Sequence, residues 1–320
     1  MLLALVAGGR AELSSQSLRV SGRVLRGGPA ARPIAGTWVV LHRVAMDGAG
    51  RPVDSTRTDG AGRFTLTLPN PVRGAVYVAS TWYSGVAYFS EPLDGAARGA
   101  ATLSPLHVYD TSSVGPVRLA RRVVTIARQR RDGTHAVLEL LDLENPAWRT
   151  RIAADTLRPT WAGALPAAAL QLQLGQGDLS PEAVTRRGDS VAVFAPIPPA
   201  ARKQLTYTYV LPADLRRLSL PIDQPTGELD LLLEDTTAVV RAASLDSLGI
   251  EELQGRRFAR YQMRDVAGSA RLAIALPAAP ARPQALVPLI VAVAALALAV
   301  AFVIALRRKP APLAPSVPAR

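Results

Sequence analysis

Cysteine is absent from the 320 residues, which excludes disulfides, thiolate metal sites and cysteine nucleophiles. Histidine is nearly as scarce. The three copies, His42, His107 and His135, are far apart in the chain, and their spacing assembles no metal site. His42 and His107 fall inside expected strands, and His135 follows Asp132-Gly-Thr134 as a turn-flanking residue. The patterns of serine or nucleotide chemistry are also missing: there is no Gly-x-Ser-x-Gly elbow, Ser-x-x-Lys pair or Gly-x-x-x-x-Gly-Lys phosphate loop. No catalytic residue, cofactor or metal ligand is therefore expected. Lysine is almost absent too. Lys203 and Lys309 are the only two, so the net charge of +12 is carried by arginine. These bases are scattered along the chain instead of clustered, which argues against nucleic acid as a partner.

Long apolar runs are missing from most of the chain, with one exception. Residues Ala285 to Leu306 carry no charge, and Arg307, Arg308 and Lys309 follow at once. A helix of that length rises about 33 Å, enough to cross a hydrocarbon core of about 30 Å. The run reads as a transmembrane helix over 285–306, with the three bases as its stop signal; a buried core helix is the alternative. The basic flank places the tail, 307–320, in the cytoplasm and the bulk of the chain outside it. Residues 1–11, Met1-Leu-Leu-Ala-Leu-Val-Ala7 with Gly9-Arg-Ala11 behind, then read as the remnant of a signal peptide.

The body alternates with period two. Leu18, Val20, Gly22 and Val24 interleave with Arg19, Ser21 and Arg23, and Phe64, Leu66 and Leu68 with Arg63, Thr65 and Thr67. Such alternation marks half-buried strands. Gly27-Gly-Pro29, Asp47-Gly-Ala-Gly50 and Asp59-Gly-Ala-Gly62 supply turn chemistry between them. Further strands are expected at 38–43, 53–58, 76–83 and 103–109, making a small β-sandwich over 17–109. A second set follows over 117–276, with strands expected at 123–128, 135–143, 170–174, 190–194, 204–211, 228–234, 238–243, 257–264 and 272–276. No long helical period interrupts it, so a second β-sandwich region is expected. Pro277 to Gln284 is a Pro/Ala linker, and the tail beyond Lys309 is Pro-rich.

Val20-Ser-Gly-Arg-Val24, Ile34-Ala-Gly-Thr-Trp-Val-Val-Leu41 and Thr58-Asp-Gly-Ala-Gly-Arg-Phe64 occur in that order. Together they resemble the carboxypeptidase regulatory-like domain, a transthyretin-like, Ig-like sandwich. The resemblance implies a fold and an accessory role over 17–109. In the enzymes that lend the family its name, catalysis belongs to a separate zinc domain. None of the three histidines here has the His-x-x-Glu spacing of such a centre.

Several side chains invite a functional reading. Asp47, Asp54 and Asp59 could supply calcium oxygens, but Asp-Gly is the ordinary hairpin dipeptide and turns are the expected role. Glu228, Asp230, Glu234 and Asp235 read as a solvated acidic face. Arg187-Gly-Asp-Ser190 spells an adhesion motif but equally describes a turn entering the strand at Val191. The aromatic run Trp82-Tyr-Ser-Gly-Val-Ala-Tyr-Phe89 reads as a hairpin around Ser84-Gly85. With Tyr83 or Tyr88 facing out beside Trp82, it could stack on a sugar or anchor a protein.

The reading is a mainly β, non-enzymatic, single-pass protein of the bacterial cytoplasmic (inner) membrane. It would bind or scaffold a protein or glycan partner on the extracytoplasmic face, with the membrane as its other partner and no nucleic acid. The alternative is an accessory subunit of an envelope enzyme complex, or an enzyme with an unrecognised site in 117–276.

Overall fold

The computed structural model describes residues 17–45, 50–97, 99–199 and 201–277. The apolar run 285–306, the bases Arg307, Arg308 and Lys309, the tail and the segment 1–11 lie outside the described residues. Among the described residues no helix is long and apolar enough to cross a membrane. The fold is mainly β, built from several sheets, with one 3-10 turn at Pro181–Ala183 and no α-helix in the described part.

The chain forms two compact units: residues up to Ser112 together with Trp148–Thr150, and the remainder. The strands of the first are β1 (Leu18–Arg26), β2 (Arg32–Pro33), β3 (Trp38–Val44), β4 (Gly50–Arg57), β5 (Arg63–Leu68) and β6 (Val76–Tyr83). They continue with β7 (Val86–Phe89), β8 (Leu93–Asp94), β9 (Gly99–Thr102), β10 (Leu106–Val108) and β11 (Thr111–Ser112).

Two five-stranded sheets carry this unit. In one, β1 pairs with β2, β5, β9 and β10; in the other the order is β4-β3-β6-β7, with β8 beside β6. The alternation read from the sequence is what makes both sheets two-faced. Leu18, Val20, Val24, Phe64, Leu66 and Leu68 are buried on the first, and Val39, Leu41, Tyr77, Ala79, Val86 and Tyr88 on the second. The turn into β5 is the one expected. Gly62 has φ +72°, and a Cβ there would lie 2.5 Å from the Val24 carbonyl oxygen. Asp59 closes the same turn by accepting the backbone N–H groups of Ala61 at 2.9 Å and Arg63 at 2.8 Å. Asp54 likewise accepts from the Thr67 N–H, so both serve the backbone.

The second unit begins with β12 (Arg118–Ile126) and β13 (His135–Glu144). After β14 (Thr150–Arg151) come β15 (Trp161–Ala164), β16 (Leu170–Leu174), β17 (Val184–Arg187) and β18 (Ser190–Val193). Then follow β19 (Arg202–Leu211), β20 (Arg217–Pro221), β21 (Thr226–Leu233) and β22 (Val239–Arg241). The last are β23 (Asp246–Leu253), β24 (Arg256–Val266) and β25 (Arg271–Ala275).

A seven-stranded sheet of order β16-β19-β13-β12-β21-β24-β23 dominates this unit. Only β12 and β21 run parallel within it. Two three-stranded sheets, β15-β18-β17 and β20-β25-β22, share one apolar core with it. Leu141, Leu143, Tyr207, Leu229 and Leu231 from the large sheet meet Trp161, Val191, Leu220 and Ile274 from the small ones there.

Strands at 161–164, 184–187, 217–221 and 246–253 were not among those expected. The last is an edge strand with a register irregularity between Ser247 and Gly249, and Leu248 and Ile250 on it are exposed. The Arg187-Gly-Asp-Ser190 motif is the hairpin between β17 and β18, with Arg187 paired to Ser190 and Gly188 at φ +55°.

Candidate functional site

The second sheet of the first unit presents an aromatic face. Its strand β6 is joined to β7 by Ser84 and Gly85, at φ 47° and 78°. Two successive left-handed residues form the hairpin turn whose twist matches the flanking strands. This turn fixes Trp82 opposite Ala87 and Ser80 opposite Phe89. On the other side of β6, Val39 pairs with Thr81 and Val40 with Ser80, so Trp38 stands across from Trp82. Trp38 in turn pairs with Arg57 and Val40 with Ser55.

Two rows of side chains therefore cross the sheet: Arg57, Trp38, Trp82 and Ala87, then Ser55, Val40, Ser80 and Phe89. Because side chains alternate across a strand, both rows project from the face opposite the buried Val39, Ala79, Thr81 and Tyr88. Trp38, Trp82 and Phe89 are 52%, 67% and 63% exposed. The Arg57 guanidinium lies 4.8 Å from the Trp38 ring centroid, a cation–π contact that orients the indole. In the next row His42 pairs with Val78, and its Nε2 lies 2.8 Å from Ser80 Oγ.

The hairpin expected from the sequence is thus present, but its two tyrosines are not on the exposed face. Tyr88 is 5% exposed. Its hydroxyl donates to the Tyr109 carbonyl at 2.9 Å and lies 2.8 Å from Thr150 Oγ1, and burial raises its pKa. Tyr83 is half-buried and donates its hydroxyl to Asp110 at 2.9 Å. The exposed neighbours of Trp82 are Trp38 and Phe89. Period two predicts the side on which Phe89 lies, whereas Trp38 comes from a strand 44 positions earlier.

Polar side chains converge at two places in the second unit. Arg122 and Glu139 form a buried ion pair at 2.8 Å, and Arg122 also donates to the Pro221 carbonyl. Tyr207 and Tyr209 donate to Glu139 at 3.1 and 2.8 Å. Burial first, and the Glu139 charge after it, hold both phenols well above the ordinary tyrosine range. All four side chains lie at 3% exposure or less, so this is a buried, mutually paired polar core and not an open cleft.

The second place corrects the expectation of a solvated acidic face. Asp230 is 1% exposed and bonds Arg121 at 2.6 Å and Arg260 at 3.0 Å. Burial alone would push its carboxyl up, but the two arginines outweigh that and hold it below the usual range. Glu234 is buried as well and pairs with Arg256 at 2.8 Å. The reason is position: β21 is an interior strand whose neighbours β12 and β24 carry the arginines. Asp235 accepts from Thr237 in the following turn. His135 is buried at the start of β13, where its Nδ1 lies 3.0 Å from the Ala127 carbonyl. Among the described residues no group of acidic or histidine side chains is placed to hold a metal ion.

No protein-family model matches the chain, and no curated protein matches it. Among solved structures it is similar to a mutant two-domain M1 zinc metallopeptidase bound to L-tryptophan. The identity is 9% and the TM-score 0.34, over 52% of this chain and 44% of that one. The M1 zinc metallopeptidase of Deinococcus radiodurans gives 10% identity and a TM-score of 0.33 over 50% and 42%. The chain thus covers less than half the length of these neighbours, and a likeness at this level carries no argument about activity.

Proposed function

We propose that the chain is a non-enzymatic, single-pass envelope protein that binds a partner outside the cytoplasm through the aromatic face of its first unit. The supporting observation is that Trp38, Trp82 and Phe89 are exposed together on one sheet face. Apolar side chains of that size are normally withdrawn from water, and an exposed group of them is the usual mark of an interaction surface. On this reading residues 17–109 form a transthyretin-like accessory domain. The apolar run 285–306 anchors it, and Arg307, Arg308 and Lys309 stay on the cytoplasmic side.

The reading is tested with the full-length chain carrying Trp38→Ala and Trp82→Ala together. The unaltered chain should co-sediment with detergent-insoluble envelope material, and the variant should remain in the membrane fraction but lose that co-sedimentation. Unchanged co-sedimentation of a folded double variant would remove the aromatic face from any binding role.

A further inference from the structure

Resting on the binding role proposed above, we infer that the ligand of this face is an extended β-1,4-linked chain of N-acetylated sugars. The residues beside the rings are small: Ala87 and Ser80 lie between Trp82 and Phe89 in the register, and Val40 lies beside Trp38. A protein hot spot seats its aromatic anchors in closed, desolvated pockets. A ribbon-shaped glycan needs only a platform, because its equatorial linkages keep successive rings extended and their C–H faces accessible.

The chemistry of the two rows fits such a ribbon. Trp38 and Trp82 are cross-strand neighbours, and side chains so placed have Cβ atoms about 4.5 to 5.5 Å apart. Their electron-rich faces attract the weakly positive axial C–H hydrogens of a pyranose. Neither row holds a carboxylate. Their single formal charge is Arg57, whose guanidinium lies against the Trp38 ring, so the rows present aromatic rings and small side chains with no anionic group. His42 and Ser80, 2.8 Å apart, supply donors and acceptors beside the rings. Val40 and Val78 flank that pair and offer apolar contact to an acetamido methyl group, while the pair itself can bond the amide.

The test is calorimetric titration of the full-length chain in lipid nanodiscs with chitohexaose, using the α-1,4-linked maltohexaose as control and empty nanodiscs as blank. Chitohexaose should bind and maltohexaose should not. Trp38→Ala and Trp82→Ala should each weaken binding about tenfold or more. Trp82→Phe, which keeps a ring, should weaken it less. Trp148→Ala, which alters an exposed tryptophan outside the two rows, should leave it unchanged.

Failure of chitohexaose to bind overturns the glycan assignment, as does equal binding of maltohexaose or binding that survives both alanine substitutions. Should chitohexaose fail while the double variant still loses co-sedimentation with the envelope, the face remains a binding surface for another partner, a protein or the bilayer itself. Should both experiments fail, the binding reading falls with the glycan.

Discussion

The ring of Phe64 lies directly over Gly22: a Cβ built on Gly22 would sit 2.5 Å from Phe64 Cζ. The two are register partners on β1 and β5. The missing side chain of one residue is the space that lets the other enter the core, where Phe64 is 4% exposed. The glycine that interrupts the valine and leucine alternation of β1 is therefore a packing requirement.

Gly22→Ala should displace the ring and destabilise the first unit by about 1 to 3 kcal/mol. Phe64→Ala should cost about 3 to 5 kcal/mol. The double substitution should cost less than the sum, because the alanine at 22 then meets no ring. Denaturant unfolding of the four chains gives the coupling directly, and strict additivity would mean that the two residues do not share this space.

Gly62→Val should strain a backbone at φ +72° and drive a side chain into the Val24 carbonyl. The backbone strain alone is about 1 to 3 kcal/mol. Thermal melts should show the loss in the first unit, and a neutral result would contradict the turn geometry.

Asp230→Asn should destabilise the second unit by about 1.5 to 3 kcal/mol at neutral pH, the worth of hydrogen bonds to charged groups. The value stays moderate because Arg260 keeps Glu251 at 3.1 Å and Arg121 keeps Glu228 at 3.9 Å. The folded carboxyl is held below its ordinary range. Its contribution is therefore present above the unfolded value of about 3.9 and is lost as pH falls through the folded one. Unfolding midpoints of wild type and variant should converge toward acid, and a constant gap from neutral pH to acid would exclude this linkage.

Tyr207 and Tyr209 give the opposite sign. Their folded pKa values are raised by burial and by Glu139. The stabilisation is complete below the unfolded value of about 10 and is lost as pH rises through the folded values. Alkaline unfolding followed by phenolate absorbance should start above about pH 10. With Tyr207→Phe and Tyr209→Phe together this part of the pH dependence should vanish.

Proteolysis of spheroplasts should digest residues 17–276 and spare a fragment holding 285–320. Protection of the whole body would overturn the proposed orientation.

The strand alternation of β1 and β5, the Asp59 to Gly62 turn and the Ser84-Gly85 hairpin were legible in the sequence because each is local. Period two and positive φ are written in neighbouring residues. The apolar run and its basic flank are legible for the same reason. What only the tertiary structure decided is which strands lie side by side. Trp38 and Trp82 share a face because β3 and β6 pair in one register, and a shift of one residue would turn either indole into the core. Asp230 looks solvated when only its own segment is read. It is buried because Arg121, 109 positions away, and Arg260, 30 away, meet it across two strand boundaries. Local patterning sets which side chains avoid water, whereas non-local strand order sets which of them meet.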